Sequence, residues 1–153
     1  MKTFETLAEV IDNAIAVHDR ASDLYTRLRG ACAEPRVQMV LEDIDSHVVH
    51  QKRLMKDLVS RTSPGVLRAY LQYTLEQPPA KFIDSITPAG DVVTIEDVTR
   101  IGHQVHQYTV ELFESALRGT GSRDGCDLLR DLLQLQSAEY RHLNNNINSA
   151  GDI

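Results

Sequence analysis

Residues 35–61, PRVQMVLEDIDSHVVHQKRLMKDLVSR, decide the fold, because apolar or histidine side chains recur in them every three or four positions. A stripe with this spacing predicts a helix that packs one face against a protein core. The predicted stripe consists of Val37, Val40, Ile44, His47, His50, Leu54 and Leu58. Residues three apart lie on one side of a helix, so both histidines are expected to face the core.

Three further segments show the same spacing, and the predicted helices cover about 3–29, 35–61, 94–118 and 124–148. Thr94, followed by Glu96 and Asp97, is typical of a helix N-terminus, both as a cap and by its charge. The predicted inward positions of the other three helices are Phe4, Leu7, Ile11, Ala14, His18, Ala21, Tyr25 and Leu28; Ile95, Val98, Gly102, Val105, His106, Thr109, Phe113 and Leu117; and Leu128, Leu132, Leu135, Glu139, His142 and Asn146.

The segment at about 62–93 breaks the helical periodicity. Residues 63–77, SPGVLRAYLQYTLEQ, could begin with a short helix, whereas QPPAKF and ITPAGD are typical of turns and extended chain. About thirty residues is long for a loop in a compact domain, unless the loop runs the length of a helical bundle. The sequence therefore predicts a single all-α domain over residues 1–153, with a long crossover between the second and third helices.

Composition and charge exclude several classes of function. The 153 residues carry a formal net charge of −6, which argues against nucleic-acid binding, because that requires a basic surface. We find no apolar run of about 20 residues that would span a membrane and no export signal. The two cysteines, Cys32 and Cys126, are few enough to fit a reducing compartment. We therefore expect a cytoplasmic protein.

A polar pattern repeats between the two predicted helical hairpins. His18-x2-Ala21-x3-Tyr25 in the first helix corresponds to His106-x2-Thr109-x3-Phe113 in the third helix. The pair His47-x2-His50 in the second helix corresponds to Glu139-x2-His142 in the fourth. The repeat puts six ionisable side chains near the middle of four helices.

This pattern resembles the ferritin-like superfamily, and within it the rubrerythrin-like proteins. In that family, helices one and three each supply a Glu, and helices two and four each supply a Glu-x-x-His, to a di-iron centre. The resemblance implies a ferritin-like four-helix bundle and often a homodimer. It also implies six metal ligands: His18, His47, His50, His106, Glu139 and His142. His18, His47 and His106 replace a family Glu, and this departs from the carboxylate-bridged pattern.

The charge of this ligand set favours a small number of metal ions. One carboxylate and five neutral imidazoles carry a net charge of about −1, so two divalent ions would leave about +3 in a buried place. A single ion, or two ions with a compensating anion, is therefore expected. Imidazole-rich sites suit iron, zinc and copper, and the resemblance favours iron. The expected function is redox chemistry on dioxygen or peroxide, as a non-haem metal oxidoreductase, or metal handling.

Other interpretations of the same residues remain open. The bundle could be a non-catalytic interaction or structural module whose polar core is degenerate, or it could hold haem between two histidines. His103 lies one turn before His106 and is a hydrogen-bond donor near the site, an alternative ligand or a surface residue. Tyr25 is either a hydrogen-bond donor to the site or part of the core.

Overall fold

The computed structural model describes residues 2–75, 77–90 and 93–151 and is mainly helical. Its four long helices are α1 (Leu7–Ala31), α2 (Pro35–Ser60), α5 (Ile95–Gly119) and α6 (Arg123–Gly151). These bounds agree with the predicted helices to within about four residues, and the prediction of a mainly helical protein is confirmed. No described helix combines the length and apolar character that a membrane span requires.

The chain before α1 forms a strand, so the prediction of a helix from residue 3 is wrong. Strand β1 (Lys2–Thr6) pairs antiparallel with β2 (Tyr70–Thr74), with Thr6 opposite Tyr70. The Thr6 hydroxyl accepts a hydrogen bond from the backbone N–H of Glu9 at 3.2 Å and thereby caps α1. Phe4, predicted to be inward, is 70% exposed on the strand, because a helical stripe does not continue into extended chain.

In the described part of the crossover segment, which spans residues 61–94, the chain forms three short elements: α3 (Pro64–Leu67), β2 and α4 (Pro79–Ile86). The prediction of turn and extended chain for QPPAKF is wrong, because α4 begins within it. Pro79 at the first helical position is compatible with a helix. Ile83 and Ile86 are three residues apart and are both buried in the core beside α1. Burial of this pair stabilises a helix that the two prolines alone did not indicate.

The core consists of two apolar clusters, one toward each end of the long helices. The upper cluster includes Tyr25, Ile44, Ile101 and Leu143, and the lower cluster includes Leu7, Met55, Phe113 and Leu129. α2 and α5 both run from the upper cluster to the lower one, whereas α1 and α6 run the opposite way. The crossover segment therefore passes from the lower end to the upper end, where Thr94 and Asp97 form a capping box on α5.

Two glycines of α5 permit close packing. A Cβ atom on Gly102 would lie 2.5 Å from the Cδ1 atom of Ile44, so this glycine makes room for a neighbouring helix, as its position in the stripe suggests. A Cβ atom on Gly119 would lie 1.7 Å from the carbonyl oxygen of Gln72 in β2. The end of α5 thus holds the small sheet against the lower end of the helices.

Candidate metal centre

A layer of buried polar side chains lies at the level where the two apolar clusters meet. Each long helix contributes one member: His18, Gln51, Thr109 and Gln136, all at most 4% exposed. The Thr109 hydroxyl donates to the carbonyl oxygen of Val105 on its own helix at 2.9 Å. The other three side chains are linked to one another, and we call His18, Gln51 and Gln136 the buried polar chain.

Hydrogen bonds determine which nitrogen of His18 carries the proton. Its Nδ1 lies 2.7 Å from the carbonyl oxygen of Ala14, so Nδ1 is the donor there. Burial lowers the pKa of His18 below its ordinary value of 6.5, so the ring is neutral at pH 7 and Nε2 must accept. That nitrogen lies 3.0 Å from the side-chain amide of Gln51, which in turn lies 3.2 Å from the amide of Gln136.

The two glutamine amides are best oriented with their nitrogens toward His18. When the Gln51 oxygen faces His18 Nε2, two hydrogen-bond acceptors lie opposite each other. In the same orientation, Gln136 Nε2 is buried without a partner among the described residues. Turning both amides lets Gln51 donate to His18 and Gln136 donate to Gln51. The chain is then continuous from Ala14 to Gln136, and Nε2 of His18 is used for a hydrogen bond.

Glu139 lies between two predicted ligands beside this layer. Its carboxylate oxygens are 3.9 Å from Nδ1 of His47 and 4.0 Å from Nε2 of His50. The side chain of His47 is 9% exposed, that of Glu139 is 23% exposed and that of His50 is 49% exposed. This cluster, which we call the His–Glu–His set, therefore extends from the core to the solvent along α2 and α6.

His47 is held neutral by its surroundings. Burial lowers its pKa to about 4, and repulsion from four other histidines adds to the effect: His18, His50, His142 and His106. The approach of Glu139 is therefore not an ion pair at neutral pH. A neutral imidazole with a carboxylate beside it has the protonation state that a metal ligand requires.

His106 and His103 both contact Tyr140. The rings of His106 and Tyr140 stack with centroids 3.9 Å apart and planes inclined by 6°. The Tyr140 hydroxyl is 2.5 Å from Nδ1 of His103, which is exposed at the surface. Burial and the neighbouring His103 lower the pKa of His106 to about 4, and its Nδ1 is buried without a partner among the described residues.

The void beside these rings is small. Tyr25, His47, Gln51, His106 and Tyr140 are among the residues that line it, and its volume is about 10 Å³. This space suits at most a single water molecule or ion. The Tyr25 ring is fully buried in the upper cluster, and its hydroxyl has no hydrogen-bond partner among the described residues. Of the two roles expected for Tyr25, the structure therefore shows the core position.

The structure places the predicted ligands at very different depths. His18 is buried, His47, His106 and Glu139 are partly buried, and His50 and His142 are exposed. The expectation that all six side chains face the core is therefore wrong for His50 and His142. On α2 the predicted stripe advances by three residues twice in succession, from Ile44 to His47 and then to His50. Each such step moves the position by about 60° around the helix, so His50 lies about 120° away from Ile44. The observed buried line is Ile44, Val48, Gln51 and Met55.

Sequence reasoning missed Gln51, Gln136 and Tyr140. Gln51 lies four residues after His47, and Gln136 lies four residues after Leu132. A straight 3.6-residue period starting at Ile44 and at Leu132 would have selected these two positions. Glutamine is a rare metal ligand, so ligand chemistry does not single out these two positions, and Tyr140 gives no sequence signal beyond its position next to Glu139.

The structure does not assemble a six-ligand centre. His18 Nε2 is hydrogen bonded to Gln51, and the neighbouring void is too small for two metal ions. Among the described residues, no group of three or more His, Cys, Asp or Glu side chains is arranged to hold a metal ion. The donor chemistry of the His–Glu–His set suits one ion, but each imidazole nitrogen lies 3.9–4.0 Å from its nearest Glu139 oxygen. On a tetrahedral ion with bonds of about 2.1 Å they would be about 3.4 Å apart.

Comparisons with protein-family models, curated proteins and solved structures find no match for this chain.

Proposed function

We propose that this protein binds one metal ion through His47, His50 and Glu139 on a ferritin-like four-helix bundle. The observation that carries the proposal is the position of the Glu139 carboxylate, 3.9 Å from one imidazole and 4.0 Å from the other. Two imidazoles and one carboxylate form a three-residue donor set that leaves a coordination position open. Small movements of three side chains would bring the donor atoms to ligand distance.

The ferritin-like part of the proposal is supported by chain direction and by the repeat. Two antiparallel hairpins, α1–α2 and α5–α6, are joined by a crossover segment that returns the chain to the other end. This connection is the one that distinguishes ferritin-like bundles from simple up-and-down bundles. The two halves also carry the corresponding polar pairs, His47 with His50 and Glu139 with His142.

Each side chain of the set would have a distinct role. His47 is neutral because it is buried, so it can donate a lone pair without first losing a proton. Glu139 would supply the negative charge that offsets part of the charge of a cation. The exposed His50 would give the ion access to solvent. A bound iron ion would supply electron-transfer chemistry toward dioxygen or peroxide, and zinc or copper would also suit this donor set.

Metal binding can be tested on the full chain. We expect elemental analysis of the protein from its native host to find about one equivalent of metal, and complete removal by a chelator to lower the melting temperature by several degrees. Glu139→Gln should weaken rebinding of Zn²⁺, measured by calorimetry, by at least about tenfold. The control is His103→Gln, which changes an exposed imidazole outside the set and should leave binding unchanged.

Two outcomes would contradict metal binding. The first is protein that contains no metal and shows no thermal shift with Fe²⁺, Zn²⁺ or Cu²⁺. The second is equal affinity for Zn²⁺ in the native chain and in Glu139→Gln. The homodimer suggested by the resemblance remains a prediction, and sedimentation of the same samples would test it.

A second candidate function is that of a non-catalytic structural or interaction module. The buried polar chain favours this alternative, because its members hydrogen bond to one another across three helices and none of them belongs to the proposed metal site. A polar layer of this kind fixes the register of helices at some cost in stability. Under this alternative, the double substitution of His47 and His50 by Leu should raise the melting temperature. The metal proposal instead predicts loss of the chelator-sensitive shift.

A further inference from the structure

A cavity of about 560 Å³ lies between α5 and the part of the crossover segment that leads from β2 into α4. No residue of the buried polar chain or of the His–Glu–His set lines it. Its volume is within the range of small-molecule sites, which is about 300–1,000 Å³. The cavity is therefore a separate feature of the molecule, on the face of α5 that points away from the helical core.

One wall of the cavity is apolar and firmly held. The rings of Phe82 and Tyr108 stack with centroids 4.4 Å apart and planes inclined by 26°. The Tyr108 hydroxyl donates to the carbonyl oxygen of Gln77 at 2.7 Å, which ties the crossover segment to α5. Burial raises the pKa of Tyr108 to about 12, so this donor stays protonated at neutral pH. Leu75 and Leu112 extend the apolar wall.

The cationic group of the cavity lies at one end of it along α5. Arg118 lies ten residues after Tyr108 on the same helix, a rise of about 15 Å, and is the only cationic side chain among the described residues that line the cavity.

The charges of the lining select an anion at the Arg118 end. Arg118 forms no ion pair among the described residues, so its guanidinium is free to bind a carboxylate. Glu111 is the one acidic side chain in the described lining, and it accepts a hydrogen bond from the Gln107 amide at 3.2 Å. Two helical turns, about 10 Å, separate Glu111 from Arg118, so an anionic group at Arg118 lies away from this carboxylate.

We propose that this cavity binds an elongated amphipathic carboxylate. The carboxylate lies at Arg118, the chain lies along Leu75 and Leu112, and the far end carries a planar group. The planar group lies near Phe82 and Tyr108. The length of such a ligand matches the distance of about 15 Å along α5 between Tyr108 and Arg118, and its apolar body matches the wall.

The proposal is tested with dansylaminoundecanoic acid, which has a carboxylate, an alkyl chain and an aromatic sulfonamide N–H. We expect its fluorescence to report saturable binding of one molecule per full-length chain in the presence of excess chelator, so the result does not depend on the metal site. Its neutral methyl ester should bind about five- to tenfold more weakly, because it cannot form the charge-assisted contact with Arg118.

Matched variants locate the site. Arg118→Gln should remove the preference for the acid over the ester, whereas Arg130→Gln, on an exposed position of α6 outside the cavity, should retain it. Gln107→Trp places a large ring at the exposed rim and should abolish binding of both probes. Equal binding of acid and ester by the native chain would overturn the proposal. So would unchanged binding in Gln107→Trp or the lack of a saturable signal.

Discussion

Substitution of Gln51 by Leu should destabilise the protein by about 2–3 kcal/mol, because Gln51 is the central member of the buried polar chain. Its removal leaves Nε2 of His18 and the amide of Gln136 without a partner, at residues that are 1% and 0% exposed. Each buried polar group that loses its partner costs about 1–3 kcal/mol. Burial of a more apolar side chain of similar size offsets about 1 kcal/mol of that cost.

The double variant Gln51→Leu/Gln136→Leu distinguishes this mechanism from simple loss of packing. Gln136→Leu alone should cost about 0.5–1 kcal/mol, because the unpaired group of Gln51 is partly offset by the buried Leu. In the double variant only His18 lacks a partner and two Leu side chains are buried, so the total cost should be close to zero rather than the sum of the two single effects. The expected coupling is therefore about 3 kcal/mol.

Urea unfolding followed by far-ultraviolet circular dichroism measures these differences, with chelator present so that any bound metal does not contribute. The control is Gln134→Leu on the exposed side of α6, which should change the free energy of unfolding by less than about 0.5 kcal/mol. Additive effects of the two single substitutions would refute the linked chain. A neutral Gln51→Leu variant would refute its burial.

Two further predictions concern pH and the small sheet. His47 and His106 have a pKa of about 4 in the folded protein, against 6.5 for the ordinary group. The unfolded chain therefore binds protons more readily than the folded chain as the pH falls. The free energy of unfolding should decrease by roughly 2–4 kcal/mol in total between about pH 6.5 and pH 4. The midpoint of urea unfolding, measured across this pH range, tests the prediction. His47→Gln should make the midpoint less dependent on pH. An unchanged midpoint in the native chain would contradict the burial of these rings. Gly119→Ala should lower the free energy of unfolding by roughly 2–4 kcal/mol, because its Cβ would lie 1.7 Å from the oxygen of Gln72. Gly30→Ala, with nothing within 4 Å of the added Cβ, should be neutral or slightly stabilising, and equal stability of the two alanine variants would argue against the contact with β2.

The number, order and extent of the long helices follow from patterns within the sequence. Apolar periodicity and caps act within a few residues along the chain, so Thr94 and the turn after Ala31 could be assigned without tertiary information. The short strand at Lys2–Thr6 could not be assigned in this way. Its partner is β2, more than sixty residues later, and pairing over that distance is a property of the folded chain.

Tertiary packing determines which polar side chains meet at the centre. Gln51 lies about 100° around α2 from His50, and Gln136 lies about 120° around α6 from His142, so the rotation of each helix about its own axis selects which of the two side chains faces inward. Packing of Ile44, Val48 and Met55 against the other helices sets that rotation. The sequence thus indicated a polar centre on four helices, but the identity of its members depended on how the apolar residues on either side of it pack.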